Sequence, residues 1–478
     1  MGAMQLLHVV WPYLLSTITL GAALLASAHV ILHKRDVRAS IAWVGFIWFL
    51  PLAGALLYGL LGINRIRRKA KVLRPEQHVA IPELEPHSRR AADFDPRARP
   101  LIQLVDHMVH HDLVDGNRVE LLVNGDQAFP AMIEAIDRAK RSITLATYIF
   151  DNDTAGRMFC EALGSARERG VKVRVLVDDF GMMYSWPPIT RLLERMNVPV
   201  ARFLPTLRPW RIHYVNLRNH RKILVVDGRI GFTGGMNIRE GNVLESRPSH
   251  PVRDVHARIE GPVVAHLQQA FAEDWYFTTG QKLTGERYFP RLHTAGPIVA
   301  RGIPDGPDED FEVARMILLG ALSVATEHVR ILTPYFVPDA ALITALNVAA
   351  MRGVQVDIVI PAKGNLALVR WACMATVGQV LERGCRVWLS PDPFDHSKIM
   401  VVDGIWTLLG SANWDMRTLR LNFEFNLECY DRELAFAAAA IVDDRKDASR
   451  PLTLAELERQ SLSIRLRNGA ARLLSPYI

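Results

Sequence analysis

The strongest constraint on the fold is an internal repeat with a period of about 185 residues. The first copy has a predicted helix over 129–139, a β-rich run over 142–150, a helix ending at Gly170 and an apolar strand over 171–178. The second copy has a helix over 311–325, a run over 329–336, a helix ending at Gly353 and a strand over 354–361. Alternating helices and apolar strands predict sheets covered by helices on both faces. We therefore expect two similar α/β halves that form a pseudo-dimer within one chain.

Each half carries the same polar motif, a histidine followed by a lysine two residues later and an aspartate seven residues later. The copies are His220, Lys222 and Asp227 in the first half and His396, Lys398 and Asp403 in the second. A three-residue pattern arises by chance roughly once in twenty cubed windows. Two copies at matching places of a repeat therefore indicate function. The alternative, satisfied polar residues in a sheet, would have to hold twice at identical spacing.

Strand geometry separates the aspartate from the other two motif residues. Side chains at positions i and i+2 of a strand point to one face, whereas position i+7 has the opposite parity. Asp227-Gly228 and Asp403-Gly404 also match a preferred two-residue hairpin turn. We therefore predict that Asp227 and Asp403 are turn residues or support the site indirectly, although they belong to the repeated motif.

A hairpin folded around that turn places small residues opposite the motif histidines. Gly235 then lies opposite His220, and Ser411 lies opposite His396. Small residues let backbone N–H groups approach a bound oxyanion closely. Two asparagines follow as further neutral donors, Asn237 and Asn413. The pattern predicts a phosphate-binding site without a set of metal ligands.

Two long uncharged runs, Leu6–Leu32 and Ala42–Ile63, occupy the N-terminus. Each can cross ~30 Å of hydrocarbon as a helix, which predicts a transmembrane helical hairpin. A cleaved signal peptide is the alternative, because Ala26-Ser27-Ala28 resembles a cleavage site. Five basic residues follow the second run and three lie in the connector. The positive-inside rule therefore predicts a multi-pass protein with both α/β halves in the cytoplasm.

The excess positive charge of the chain lies in this N-terminal segment. Residues 1–71 hold eight of the 57 Lys and Arg and one of the 50 Asp and Glu, which leaves 49 of each sign in the other 407 residues. A neutral body argues against broad nucleic-acid binding. Four irregularly spaced cysteines argue against a disulfide framework or a zinc site.

The predicted organisation has four segments. They are a transmembrane hairpin with a basic flank over 1–71, a proline-containing tether over 72–118, a first α/β domain over 119–295 and a second over 296–478. Three histidines of the tether, His107, His110 and His111, would share a helical face near acidic residues. A metal cluster is one interpretation, and a solvated amphipathic turn is the favoured one.

The duplicated motif, followed by Gly234-Gly235-Met236-Asn237 and Gly410-Ser411-Ala412-Asn413, resembles the phospholipase D superfamily. With the N-terminal hairpin, the chain resembles bacterial membrane-anchored cardiolipin synthases over nearly its whole length. The resemblance implies two α/β/α sandwich domains in a pseudo-twofold pair. It also implies that Asp254 and Glu424 orient the two imidazoles, and it favours His220 as nucleophile and His396 as acid and base.

The reaction implied is phosphatidyl transfer between two phosphatidylglycerol molecules, giving cardiolipin and glycerol through a phosphatidyl-histidine. Lys222 and Lys398 would hold the phosphate oxygens, and no metal or other cofactor is expected. The expected location is the bacterial cytoplasmic membrane, with anionic phospholipid as partner. The alternatives are a lipid hydrolase, transfer to another alcohol, a nuclease of the same superfamily and an inactive membrane scaffold. Acceptor specificity, oligomeric state and regulation stay open.

Overall fold

The computed structural model describes residues 3–34, 37–62, 95–205, 217–307 and 312–475. The chain divides into two units, Met1–Val72 and Leu73–Ile478.

The first unit contains the two predicted membrane spans. Its helices are α1 (Ala3–His33), α2 (Val37–Phe49) and α3 (Pro51–Leu57), followed by a π-helical turn at Tyr58–Gly62. Residues 10–33 of α1 are long and apolar enough to cross a membrane. The second run is divided after Leu50, because proline lacks a backbone N–H and begins a new helix at α3. Only the first predicted span is therefore a single long helix in the described residues, and the basic residues at 65–71 lie outside them.

The second unit is built on β-strands from both halves of the repeat. In the first half these are β1 (Val114–Val123), β2 (Ser142–Thr147), β3 (Lys172–Asp178), β4 (Val200–Phe203), β5 (Arg218–Asn219), β6 (Ile223–Val226), β7 (Ile230–Gly234), β8 (Val252–Arg253) and β9 (Val255–Glu260). In the second half they are β10 (Ile298–Asp305), β11 (His328–Leu332), β12 (Phe336–Val337), β13 (Gln355–Pro361), β14 (Arg386–Ser390), β15 (Phe394–Asp395), β16 (Ile399–Val402), β17 (Trp406–Gly410), β18 (Trp414–Asp415), β19 (Asn422–Tyr430) and β20 (Arg450–Leu452).

The helices of this unit follow the same duplicated order. They are α4 (Arg99–Asp106), α5 (Asn124–Arg138), α6 (Thr154–Glu168), α7 (Thr190–Arg195), α8 (Val264–Thr279), α9 (Val313–Val324), α10 (Ala340–Met351), α11 (Ala367–Thr376), α12 (Gly378–Leu381), α13 (Thr418–Leu421), α14 (Arg432–Asp447), α15 (Leu454–Glu458) and α16 (Leu462–Leu473). The predicted repeat and its α/β alternation are confirmed.

One mixed sheet runs through both halves in the order β20-β14-β13-β11-β16-β17-β19-β10-β1-β9-β7-β6-β2-β3-β4. The halves meet where β1 pairs antiparallel with β10, with Asn117 opposite Ile298. Reading outward from this junction, each half presents its strands in an equivalent order. The sheet is therefore the element that holds the pseudo-dimer together.

Helices cover both faces of the sheet. On one face, α8 and α14 pack on a core that contains residues of both halves, among them Ile259 and Leu427. On the other face each half has its own core, one around Phe159 and one around Ile317. The strands are buried on both sides, which explains their nearly continuous apolar sequence.

Equivalent helices of the two halves begin and end at equivalent capping residues. Asp153 accepts a hydrogen bond from Gly156 N at the start of α6, and Asp339 accepts one from Leu342 N at the start of α10. Both helices end before a glycine in the left-handed region, with φ of 89° at Gly170 and 91° at Gly353. These caps are the part of the repeat that sequence patterns locate best.

The later part of the predicted tether is folded. Within it, α4 packs with Leu101, Ile102 and Val105 buried in the core of the second half. The strand β1 then begins at Val114. An eight-residue amphipathic helix with a proline in its first turn carries too little periodicity to stand out from a linker.

Of the three histidines of this segment, His107 and His110 are exposed, as the favoured interpretation expects, whereas His111 is buried. Its Nδ1 hydrogen bonds with Gly302 O at 2.8 Å and its Nε2 with Gln269 at 3.1 Å. Its ring stacks on His266 at 4.2 Å. Among the described residues there is no group of three metal-ligating side chains.

Candidate active site

Two short parallel strand pairs bring the motif histidines to the centre of the second unit. In one, β5 pairs with the start of β19, so that His220 N donates to Phe423 O at 2.9 Å. In the other, β15 pairs with β8, so that His396 N donates to Arg253 O at 2.8 Å. Each pair joins one half to the other. Each histidine therefore lies beside the residue that follows the paired residues of the opposite half.

Those following residues are the two predicted orienting carboxylates. His220 Nδ1 lies 3.0 Å from Oε2 of Glu424. His396 Nδ1 lies 2.9 Å from Oδ2 of Asp254. The carboxylates are thus exchanged between the halves. Because Nδ1 of each ring is engaged, Nε2 is the nitrogen left for a substrate.

The two imidazoles face one site. Their ring centroids are 6.5 Å apart and the ring planes are inclined by 76°. Both side chains line one cavity of about 890 Å³, which also has walls from both halves. The separation leaves room for one phosphoryl group between the rings.

The motif lysines are buried beside the histidines. Lys222 Nζ donates to His220 O at 2.7 Å. Lys398 Nζ donates to His396 O and lies 2.9 Å from His396 Nδ1. Both ammonium groups therefore bond to their own histidine.

Burial dominates the electrostatics of the site. It lowers the pKa of His220 and of His396 well below the ordinary histidine value, and the charges of Lys222 and Lys398 add to this effect. Burial likewise lowers the pKa of Lys222 to about 7 and that of Lys398 to about 8.

The orienting carboxylates shift in the opposite direction. Burial raises the pKa of Asp254 to about 8 although Lys398 acts against it. Burial raises the pKa of Glu424 to about 7 although Lys222 acts against it. Each pair of carboxylate and imidazole can therefore retain a proton near neutral pH.

The motif aspartates lie in hairpin turns, in agreement with the parity argument. Asp227 has φ 53° and accepts hydrogen bonds from the backbone N–H groups of residues 140, 141 and 142, at 2.7–2.9 Å. Asp403 has φ 50° and accepts from the N–H groups of residues 326, 327 and 328. Each aspartate ties its hairpin to the start of the neighbouring strand, β2 in the first half and β11 in the second. Their role in these contacts is structural.

The hairpin register differs from the predicted one by one residue. Val226 pairs with Ile230, and Val402 pairs with Trp406. Each turn thus takes up one residue more than the two-residue turn assumed. The positive φ of both Asp227 and Gly228 fits a tight turn, but sequence alone does not show where pairing resumes.

Gly235 and Ser411 consequently serve the orienting carboxylates rather than a phosphate. Gly235 N donates to Val255 O, and a Cβ there would lie 2.4 Å from Asp254 Oδ1. Ser411 N donates to Phe425 O, and the Ser411 side chain hydrogen bonds with Glu424. The backbone N–H groups predicted to bind an oxyanion are already used within the sheet.

The two predicted asparagines do line the cavity. Asn237 Oδ1 accepts from Ile149 N at 3.1 Å, which leaves its NH₂ group as the end available to donate. Asn413 Nδ2 donates to Thr418 Oγ1 at 3.1 Å.

Two tyrosines complete the site, although only their equivalence within the repeat was visible in the sequence. The Tyr148 ring meets His220 edge-on at 5.0 Å, and the Tyr335 ring meets His396 edge-on at 6.2 Å. Arg221 was also missed as a support: its Nε donates to Glu424 O and its Nη1 to Asp274. Matching positions in both halves were the signal for the tyrosines, whereas nothing local marked Arg221.

The comparisons with known proteins agree with this geometry. A family model described as "Cardiolipin synthase, PLD-like domain" matches residues 132–275 and 318–444, and one described as "Phospholipase_D-nuclease N-terminal" matches residues 21–62. The chain is 32% identical to the major cardiolipin synthase ClsA of Bacillus subtilis, over 97% of this chain and 99% of that protein. It is also 32% identical to a cardiolipin synthase of Staphylococcus aureus, over 97% of both.

Among solved structures, a phosphatidylserine synthase of Haemophilus influenzae superposes with a TM-score of 0.63, at 14% identity, over 79% of this chain and 100% of that one. That likeness establishes the fold. Together with the full-length relatives and the family match on both halves, it leads to one assignment: the chain belongs to the bacterial cardiolipin synthases built from two phospholipase D-like domains, and it is a phosphatidyltransferase.

Proposed function

We propose that this phosphatidyltransferase uses phosphatidylglycerol as both donor and acceptor, and that His220 is its nucleophile. The observation that carries the proposal is the pair of imidazoles, 6.5 Å apart in one cavity, each oriented by a carboxylate of the opposite half. Relatives named cardiolipin synthase over nearly their whole length support the choice of lipid.

In the first step, Nε2 of neutral His220 attacks the phosphorus of one phosphatidylglycerol. The P–N bond forms, the P–O bond to glycerol breaks, and the proton held by the His396–Asp254 pair moves to the departing alkoxide. The lowered pKa of His220 supports its role as a neutral nucleophile. The raised pKa of Asp254 supports retention of a proton by the second pair.

In the second step, His396 takes the proton from a hydroxyl of a second phosphatidylglycerol. That oxygen attacks phosphorus, the P–N bond breaks, and His220 leaves as neutral imidazole. Two phosphatidylglycerols thus give one cardiolipin and one glycerol. Lys222, Lys398 and the NH₂ groups of Asn237 and Asn413 stabilise the phosphoryl oxygens in both steps, which requires the ammonium groups to turn from their histidine carbonyls.

The membrane supplies both substrates. Helix α1 and the family match over residues 21–62 support membrane association. We extend this to a multi-pass anchor in the bacterial cytoplasmic membrane with the catalytic domains in the cytoplasm, on the strength of the basic residues at 65–71.

The test is mass spectrometry of lipids after the purified full-length protein has been incubated with vesicles of phosphatidylglycerol alone. We expect cardiolipin and glycerol in equal amounts. The His220→Ala protein, purified identically, controls for contaminating enzymes. Phosphatidic acid as the main product would instead identify a lipid hydrolase.

A further inference from the structure

Among the described residues, three arginines line the catalytic cavity: Arg239, which pairs with an aspartate, and Arg218 and Arg417, which take no part in the mechanism above. Arg218 is 1% exposed, and none of its three guanidinium nitrogens has a hydrogen-bond partner among the described residues. Its nearest carboxylate oxygen, Oδ1 of Asp178, is 3.7 Å from Nη1, beyond hydrogen-bond distance. Its guanidinium carbon lies 5.2 Å from the centroid of the Phe180 ring.

Arg417 comes from the opposite half and borders the same region. It is partly buried, and its Nε also has no hydrogen-bond partner among the described residues. Burial raises the pKa of the Tyr148 phenol, and the positive charges of Arg417 and Arg218 both act against this rise. Both arginines line the same cavity as Tyr148 and His220. A buried guanidinium without hydrogen bonds is costly unless an anion supplies them.

These arginines break the symmetry of the site. Arg218 lies two residues before His220, where the other half has Phe394 before His396. Arg417 lies four residues after Asn413, and its counterpart four residues after Asn237 is glycine. The histidine, lysine and asparagine of the site are therefore present in both halves, whereas each of these two arginines is present in one half only.

The asymmetry extends to the two tyrosines. Tyr335, the counterpart of Tyr148, hydrogen bonds with Asn365 at 2.9 Å. The positive charges of both arginines thus act on Tyr148, whereas Tyr335 bonds to an amide and the carboxyl group of Asp415 acts on it. A single phosphodiester bound between two equivalent histidines does not require this difference in charge around the two tyrosines. A second anion bound beside it does require the difference.

We propose that Arg218 and Arg417 form a subsite for a second phosphodiester, which selects an acceptor alcohol that carries its own phosphate. The inference deepens the proposed function and rests on it. Cardiolipin has two phosphodiesters joined by one glycerol, so the second anion lies within one headgroup of the first. Paired hydrogen bonds from guanidinium groups are well suited to a phosphate at that place.

The experiment is a competition between two acceptors for the same donor. The full-length protein receives mixed vesicles of phosphatidylglycerol and monoacylglycerol, a membrane alcohol with the same diol but without phosphate. Mass spectrometry then gives the ratio of cardiolipin to phosphatidyl-monoacylglycerol. The ratio compares two acceptors on one covalent intermediate, so a uniform loss of folded protein does not change it.

We expect Arg417→Gln to lower this ratio by about tenfold to a hundredfold, the value of a charge-assisted hydrogen bond. Arg218→Gln should act in the same direction, and Arg417→Lys should retain part of the selectivity. Arg420→Gln is the matched control, because Arg420 lies three residues further along, pairs with Glu312 and is outside the cavity lining.

An unchanged ratio in the Arg417→Gln and Arg218→Gln proteins would overturn the subsite, whatever their total turnover. An equal loss of both products would assign the arginines to the donor phosphate and would also overturn it. Absence of cardiolipin with the unmodified protein would refute the proposed function, and the subsite with it. Transfer by the unmodified protein with an unchanged ratio in the variants refutes the subsite alone.

Discussion

At the scale of single residues, the exchanged carboxylates distinguish the two histidines. If His220 is the nucleophile and His396 the acid, then Glu424→Gln impairs attack and Asp254→Asn impairs proton transfer. A lipid with a good leaving group needs no proton, and general acid catalysis contributes ~10² to 10⁴ in rate. We expect such a substrate to restore the rate of phosphoryl-enzyme formation in Asp254→Asn and His396→Ala, but not in Glu424→Gln or His220→Ala.

The measurement is the burst of leaving group within the first turnover. The two amide variants form the matched pair, since each removes one charge from a buried carboxylate next to an imidazole. Restoration of Glu424→Gln in place of Asp254→Asn would exchange the roles of the histidines.

The covalent intermediate gives an independent residue-scale prediction. The His396→Ala protein, supplied with the activated lipid, should accumulate phosphatidyl-His220, because the base that activates the acceptor is missing. Rapid denaturation followed by peptide mass spectrometry should find the adduct on His220, and none in the His220→Ala protein. An adduct on His396 in the latter would contradict the assignment.

Whether a feature of the site could be predicted depends on how far apart in the sequence the contacting residues are. The residues His220, Lys222, His396 and Lys398 follow from a local motif, because both spacing and parity are properties of one strand. That each histidine takes its carboxylate from the opposite half did not follow. That exchange depends on β5 pairing with β19, about 200 residues away in the chain, and no local pattern encodes such a register.

At the scale of secondary-structure elements, the turn aspartates connect a hairpin to the strand beside it. Asp227→Asn should lower the free energy of unfolding by about 1–3 kcal/mol, because the carboxylate accepts three backbone hydrogen bonds. Thermal unfolding of the detergent-solubilised protein checks this, with the exposed Asp137→Asn as control. The turnover per folded molecule should change much less. A large loss of turnover with unchanged unfolding would place Asp227 in the chemistry after all.

A second buried carboxylate, Asp357 on β13, predicts sensitivity to acid. Burial alone would raise the pKa of Asp357, but hydrogen bonds from His328, Arg386 and Trp388 outweigh it and hold the pKa below its ordinary value. A carboxyl group with a lowered folded-state pKa stabilises the fold above its unfolded pKa of about 4, and this stabilisation is lost as the pH falls further.

The melting temperature of the unmodified protein should therefore fall steeply below about pH 4. Asp357→Asn should melt lower at pH 7, by the equivalent of about 2–4 kcal/mol, and vary less with pH below 4. Parallel pH curves for the two proteins would exclude Asp357 as a source of the acid sensitivity.

The elements themselves were predicted unevenly for a physical reason. Long segments with caps, such as α6 and α10, are determined by nearby residues. The division of the second apolar run after Leu50 and the hairpin register depend on how neighbouring segments pack. Such packing is not visible in the local sequence. The sequence therefore predicted one uninterrupted second span and a two-residue turn, and both predictions were incomplete.

At the scale of the whole molecule, the orientation in the membrane is the prediction that matters most for substrate supply. A protease site introduced near residue 80 should be resistant in intact cells and cleaved after the cells are opened. The reason is that the basic residues at 65–71 keep this side of the second span in the cytoplasm. A site in a known periplasmic loop of another protein serves as the positive control. Cleavage near residue 80 in intact cells would place the catalytic domains outside.

The exchanged carboxylates have a consequence for how such a chain can evolve. Each half holds the residue that the other half's histidine requires, so a gene for one half alone encodes an incomplete enzyme unless two copies dimerise. After duplication and fusion, neither half can acquire a new function while the other half alone maintains the original activity. The two halves must therefore evolve together. A new property can arise only at positions where the two halves already differ, such as those of the two arginines.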